Sequence, residues 1–499
     1  MKQIERWGMY EWTGKGRADG NPFTDCVIRG LFHTPYGDKE VSGFYDGDGI
    51  YRLRFMPEFE GSYTCEISGS FADGVFSDSF VCIPAAEGNH GPVRARGMHF
   101  EYSDGTPYHP FGTTCYVWEL QDEALQKQTL KELEKGYLNK IRYCVFPKHY
   151  LYNLNEPVTY PYEGTPCAVD PADEDAAFRA GAFEGNQWNY ACFNPEHFRN
   201  IERSIEQLQK LGIEADLIMM HPYDRWGFSE MQPEADDLYW RYALARFSAY
   251  RNVWWSLANE YDLLKKKTVA DWESYAGIIL KCDPYGHLRS IHNCITPYDH
   301  SRPWITHLSL QRTDLYKSSE LVDQHRMRYR KPVVMNEICY EGNIDQGWGS
   351  ISGQELTRRF WEAAMRGGYA SHGETYENPK DILWWSHGGK LYGESPERIR
   401  FLRDIVSQTP GGYLKPWDGA AWDEVAATSE NAECKYIICY YGFNRPSSRL
   451  FRMPEGKRYR VDVIDTWEMT VVDAGEYEGT FRIPLPGKEY MAIRLVQAT

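Results

Sequence analysis

The sequence predicts an α/β protein: a (β/α)8 TIM barrel with a β-sandwich domain before it and a β-sandwich domain after it. Three observations predict this. Between about His99 and Pro410, apolar strand-like runs alternate with helical runs, giving eight strand candidates and seven clear helices with a short fifth crossover. Both ends of the chain instead show period-two runs broken by Gly, Asp and Pro. No GxGxxG or P-loop motif follows any strand candidate, which disfavours an open doubly wound sheet.

Residues 1–88 contain FTDCVIRGLFHT, VSGFYDGDGIYRLRF and EGSYTCEISGSF, which read as short strands of a sandwich. The polar stretch 84–97 reads as a linker. The barrel is expected over 97–411. Its strand candidates are HPFGTTCYVW, IRYCVFPKHY, ADLIMMHPYD, NVWWSLANEYD, LRSIHNC, WITHLSLQ, PVVMNEICYEG and YASHGETY. They read as apolar on both faces, as buried parallel strands do. The helices carry start and stop signals. In NPEHFRNIERSIEQLQKLG, the residues Phe198, Ile201, Ile205, Leu208 and Leu211 share one face. Asn194 before Pro195 suits a helix start, and Ser395–Pro396 repeats it. Ser352 with Glu355 and Thr268 with Asp271 fit capping boxes, while Gly212 and Gly367 stand where helices should stop. Residues 412–499 return to strand patterning in KYIICYYGF, RYRVDVIDTWEMTVVD, GTFRIPLP and MAIRLVQA.

Composition narrows the function. A net charge of −16 repels phosphate backbones and anionic lipid, so neither nucleic acid nor a membrane is expected as partner. No apolar stretch approaches the roughly 20 residues that span a bilayer. Aromatics reach 15% of the chain, an excess that suits a cleft for sugars as well as core packing. The N-terminus lacks an apolar targeting segment, and the 12 cysteines are scattered singly without metal-ligand spacing. A reduced, cytoplasmic protein is expected. Acidic, aromatic-rich barrels often self-associate, so a homo-oligomer is left open.

Active sites of such barrels lie at the C-terminal ends of the strands. In strand order those ends offer Trp118 and Glu119; Lys148, His149 and Tyr150; His221, Tyr223 and Asp224; Asn259 and Glu260; His292 and Asn293; His307; Asn336 and Glu337; and His372, Glu374 and Tyr376. Trp384 and Trp385 follow as candidate stacking platforms. Two runs stand out, VWWSLANEYD and VVMNEICYEG, because each leads an apolar strand into Asn-Glu. A desolvated glutamate is costly unless it has a task or a partner. Strands 4 and 7 lie on opposite sides of a barrel mouth, so Glu260 and Glu337 can flank a bound substrate. Glycosidic cleavage needs such a pair, one acid for the leaving oxygen and one carboxylate to attack or to activate water. The scattered histidines raise a metal-dependent barrel hydrolase as an alternative, but the first strand has no HxH and the fourth no Lys. No metal and no cofactor is expected.

These motifs resemble a known group. Asn-Glu closing strand 4 and Glu closing strand 7 are similar to clan A of retaining (β/α)8 glycoside hydrolases. HPFGTTCYVWEL and GGYASHGETY resemble the first and eighth strands of its apiosidase-like branch, and DGDGIYRLRFMPEFEGSYTCEI resembles the accessory sandwich before many bacterial glycosidase barrels. The resemblance implies a carbohydrate substrate, Glu260 as acid/base, Glu337 as nucleophile, and Asn259 bonded to the sugar hydroxyl beside the anomeric carbon. It also brings furanosides forward as candidate substrates, while exo action on a short oligosaccharide or glycoside is expected from the length of the loop 151–193. Candidate substrate contacts are His149, Tyr150, His221, Tyr223, Asp224, His292, His307, Trp118, His372, Glu374, Trp384 and Trp385. Loop 151–193 is long enough to wall the cleft into a pocket. His372-Gly373-Glu374 stands where many clan members carry Trp. A carbohydrate-binding protein without catalysis is the remaining alternative.

Overall fold

The computed structural model describes residues 2–169, 179, 181–312, 314, 316–380 and 383–498. Its centre is one sheet of eight parallel strands: β1 (Phe111–Thr114), β2 (Lys140–Cys144), β3 (Glu214–Ile218), β4 (Val253–Ser256), β5 (Arg289–Ser290), β6 (Leu308–Gln311), β7 (Val333–Glu337) and β8 (Tyr369–His372). Each pairs with its sequence neighbour except β5 with β6, and β8 pairs with β1. Strand β5 is only two residues long, and a parallel bridge between His292 and Ser309 closes the cylinder there. The helices are α1 (Glu123–Leu133), α2 (Pro195–Lys210), α3 (Pro233–Phe247), α4 (Val269–Cys282), α5 (Val322–Tyr329), α6 (Gly353–Met365) and α7 (Ser395–Ser407), with one further turn of helix at Trp384–His387. The β5–β6 connection consists of turns, which accounts for the short fifth crossover.

The expectation of strands apolar on both faces fails on the inner face. Lys140 donates to Asp216 Oδ2 (2.7 Å) and to Asn336 Oδ1 (3.2 Å). Ser371 donates to the same Asn336 oxygen (2.8 Å), and Asn336 Nδ2 donates to Ser309 (2.7 Å). Five strands are thus tied across the interior by buried polar side chains. Burying these groups is tolerable because each finds a partner.

Helix ends follow local chemistry. Asn194 accepts the Glu196 N–H (3.1 Å), Ser352 accepts that of Glu355 (3.2 Å), and Thr268 with Asp271 forms a reciprocal box. Gly212 and Gly367 take φ of 68° and 73° at helix ends, a region costly for other residues. The Ser395–Pro396 start differs from expectation. Its cap is remote, for Glu341 accepts the N–H groups of Glu394 (2.8 Å) and Ser395 (3.0 Å).

The N-terminal domain packs a five-stranded sheet against a three-stranded one, with Phe32 stacked on Phe55 at 4.0 Å and Tyr10 on Phe80 at 4.7 Å between them. The end of the expected linker is ordered: Val93–Arg96 pairs with His99–Tyr102, and Phe100 packs beneath the barrel against Trp254. The C-terminal domain sets a six-stranded sheet against a two-stranded antiparallel sheet of Ser448–Arg452 and Thr480–Pro484. It meets the barrel where Tyr440 stacks on Trp361 of α6 at 5.3 Å. No helix among the described residues is long and apolar enough to cross a membrane.

One buried ion pair locks the N-terminal domain to the barrel. Arg54 donates from Nη1 and Nη2 to the two oxygens of Glu202 (2.7 and 3.0 Å), and Arg246 Nε donates to Glu202 Oε1 (2.6 Å). Burial pushes the Glu202 carboxyl up, but Arg246 and Arg54 outweigh it and hold it at about 2. Replacing Arg54 by Met leaves a buried, half-compensated carboxylate and should cost about 3–5 kcal/mol in denaturant titrations. Because the Glu202 pKa is depressed in the fold, its share of stability is present above pH about 4.3 and fades as pH falls toward 2. That acid loss should shrink in Arg54→Met.

Candidate active site

The C-terminal ends of the strands open on a cavity of about 420 Å³. The chain after β1 contributes Tyr116, that after β2 Lys148 and Tyr150, and that after β3 Tyr223. Glu260 follows β4, Cys294 follows β5, Gln311 and Arg312 end β6, and Glu337 ends β7, with Cys339 and Tyr340 beyond it. Trp348 and Trp385 complete the wall, 5.0 Å apart between ring centroids. Glu260 and Glu337 therefore face the same space from β4 and β7. Glu260 reaches it with φ 47° and ψ 53°, a left-handed conformation that is strained for a non-glycine residue and typical of functional positions.

The two carboxyls lie in opposite electrostatic settings. Around Glu337, Tyr116 donates to Oε1 at 2.5 Å, Arg142 Nη1 donates to the same oxygen at 2.9 Å, and His292 Nε2 lies 3.2 Å from it. Burial raises the Glu337 pKa, but His292, Arg142 and Tyr116 outweigh burial and hold the carboxyl well below the usual range. Glu260 lacks such a clamp. Burial raises its pKa and the charge of Glu337 raises it further, against weaker pulls from Tyr223 and Lys148. Asn259 links the pair, accepting from Arg142 Nη2 (2.6 Å) and donating to Glu260 Oε2 (3.2 Å). Lys148 stands 3.3 Å above the Tyr116 ring and 4.6 Å from that of Trp385, and burial draws its pKa down to about 8.

Residues 95–431 match the family described as the apiosidase-like catalytic domain, a span of more than half the chain. The chain belongs to the apiosidase-like family. It is a glycosidase of TIM-barrel architecture. Residues 3–70 and 422–496 match two families described as domains of unknown function, DUF5060 and DUF5605. A crystal structure of a candidate glycoside hydrolase from Bacteroides vulgatus ATCC 8482 is 36% identical, with a TM-score of 0.91 over 100% of both chains. A glycoside hydrolase family 5 structure from the same organism superposes at a TM-score of 0.60, with 13% identity over 82% of this chain and 94% of its own, a likeness of fold alone. No curated protein sequence matches this chain.

In this apiosidase-like enzyme, the sequence-predicted residues divide into three groups. Glu260, Glu337, Tyr150, Tyr223 and Trp385 line the cavity. Asn259 and His292 stand behind it and hold the carboxylates. The others do not line it. Asp224 is a turn-former, accepting the N–H groups of Trp226, Gly227 and Ser229. His221 bonds the Phe146 carbonyl, and His149 packs edge-on to Trp226. Trp118 is fully buried against Tyr143, and Trp384 donates to Thr113 in the interior (2.8 Å). His307 precedes β6 rather than ending it, because the strand starts at Leu308; it lies among Phe100 and Trp254 at the opposite end of the barrel. His372 and Glu374 form a separate buried cluster. Of loop 151–193, residues 170–178 and 180 lie outside the described residues.

Sequence reasoning missed Tyr116, Arg142, Cys294, Gln311, Arg312, Cys339 and Tyr340. Arg142 sits inside the run IRYCVF, where alternation alone marks an inward-facing charge. Replacing Tyr116 by Phe removes one charge-assisted hydrogen bond from Glu337. The Glu337 pKa should rise, moving the acidic limb of the kcat/KM profile up by about one pH unit. An unmoved limb would show that another group sets it.

Proposed function

We propose that this enzyme is a retaining, exo-acting glycosidase working by double displacement, with Glu337 as nucleophile and Glu260 as acid/base. The observation that carries the reading is the opposite displacement of two carboxyl pKa values around one cavity. A carboxyl raised by burial is protonated when a leaving oxygen needs a proton. A carboxylate held ionised by Arg142, His292 and Tyr116 is a poor base for activating water, yet it is a competent nucleophile and later a good leaving group. After the glycosyl-enzyme forms, Glu260, now deprotonated, takes a proton from the attacking water.

The cavity supports exo action. Its volume of about 420 Å³ lies within the range of small-molecule pockets, about 300–1,000 Å³, and suits a terminal sugar with its leaving group. The rings of Trp348, Trp385 and Tyr340 offer faces for a sugar ring. Furanosides are proposed as substrates from the family resemblance. Twelve free cysteines, two of them in the cavity wall, suit a reducing compartment, and the cytoplasm is the proposed location.

Proton nuclear magnetic resonance of the first sugar released should show the substrate's anomeric configuration, and first release of the inverted anomer rejects the double displacement. Glu337→Gln should abolish turnover on a panel of nitrophenyl furanosides and pyranosides. Glu260→Gln should lose about 10²–10⁴-fold on glycosides with poor leaving groups and much less on activated nitrophenyl glycosides, which need no proton.

A further inference from the structure

Beside the active cavity, but outside its lining, lies a second cluster of ionisable groups. Glu341 follows β7, His372 ends β8, and Glu374 comes two residues later, all three buried. One ligand-type atom from each lies within 4.8 Å of the others. The carboxylates are half satisfied by the start of α7: Glu374 accepts the N–H groups of Tyr392 (2.5 Å) and Gly393 (2.9 Å), and Glu341 accepts those of Glu394 and Ser395. Tyr376 also donates its hydroxyl to Glu341 Oε1 (3.1 Å), so the open lone pairs are those of Glu341 Oε2 and the two Glu374 oxygens. No Lys or Arg among the described residues pairs with either carboxyl group, so the two meet in the interior without a cationic side chain between them.

His372 supplies the independent observation. It is 0% exposed, its Nδ1 is taken by Thr113 Oγ1 (3.0 Å), and its Nε2 has no hydrogen-bond partner. That Nε2 lies 4.0 Å from Glu374 Oε2, too far for a hydrogen bond. Ligand atoms held about 2.1 Å from a tetrahedral zinc ion stand about 3.4 Å apart, so this gap must close by about 0.6 Å to hold one. Closing the widest separation to that distance takes side-chain movements that sum to at most about 1.4 Å.

We propose that Glu341, His372 and Glu374 form a structural site for a divalent transition metal, zinc by ligand chemistry, that pins the β7 and β8 loops to the start of α7. An imidazole with two carboxylates suits zinc, whereas calcium takes six to eight oxygens. Thr113 fixes the ring through Nδ1, as outer-shell partners of metal-bound histidines do. The ion takes no part in glycoside cleavage. It holds Gly373, where any side chain would collide with the Tyr340 ring of the cavity wall.

The test uses the full chain and does not depend on glycosidase activity. After equilibration with zinc and exhaustive dialysis, elemental analysis should find one zinc per chain. Zinc addition to chelator-stripped protein should raise Tm on the order of a few °C. Cobalt titration should give visible absorption without a thiolate charge-transfer band, which separates this site from the 12 cysteines. His372→Gln and Glu374→Gln should each lose the metal while keeping the far-ultraviolet circular dichroism of the wild type. Zinc below stoichiometry after dialysis, a thiolate band, or full retention in both variants would overturn the site. Should the variants fail to fold, the wild-type cobalt spectrum alone decides.

Discussion

The buried guanidinium of Arg142 is the constraint around which the active end of the barrel is built. It projects from β2 into the barrel interior with no exposed surface, and it reaches Glu337 on β7 and Asn259 after β4 at once. Such a charge is tolerable in the interior only when it is paired, and here Nη1 and Nη2 carry the pairing while Nε has no partner. Matching it fixes the distance and orientation of two strands on opposite sides of the cylinder. One layer below, Lys140, Asp216, Asn336 and Ser371 repeat the device across β2, β3, β7 and β8. An interior packed with aliphatic side chains would be easier to bury, but it would tolerate small shifts of register. Hydrogen bonds of 2.6–3.2 Å do not, so this interior specifies geometry as well as stability.

The same arrangement separates two chemically identical carboxyls. Both are buried, and burial alone would raise both pKa values. Donors from β1, β2 and the β5 end converge on Glu337, so its charge is held in place. Glu260 feels that fixed charge as repulsion. The difference between the two carboxyls therefore arises from the donors around Glu337, His292, Arg142 and Tyr116, and not from the glutamates.

Much of the fold was legible in the sequence because its signals are periodic. The βα alternation, the short fifth crossover and the caps at Asn194, Thr268 and Ser352 are local patterns with local causes. Glu260 and Glu337 were legible because each ends a strongly apolar run. The rest of the site was harder to read. Being near the end of a strand does not say which way a side chain points, and Trp118, His149 and His221 point into packing rather than into the cavity. The sixth strand ends at Gln311, four residues beyond His307, so His307 lies at the far end of the barrel while Gln311 and Arg312 take the place expected of it. Arg142 and Tyr116 lie in runs that read as apolar core, and only three-dimensional convergence gives them a role. The remote cap on α7 has no local signature, since Glu341 precedes that helix by more than 50 residues.

Backbone strain at the cavity wall makes sense on these terms. Glu260 and Cys339 both line the cavity with positive φ, 47° and 65°, where a side chain costs of order 1–3 kcal/mol. Neither segment could hold that conformation by itself. Glu260 is restrained through Asn259, whose amide is fixed by Arg142, and through the Tyr261 N–H, which donates to the His292 carbonyl at 2.9 Å. Beside Cys339, the Tyr340 N–H donates to the Trp348 carbonyl at 2.7 Å, and Arg359 donates to the Ile338 carbonyl at 2.5 Å. Each strained residue is thus flanked by bonds to other elements, and the strain is offset by the packing of the whole barrel. A carboxyl carried on such a segment cannot relax away from its neighbour to relieve repulsion. The raised pKa of Glu260 therefore requires the rigid backbone as much as it requires Glu337.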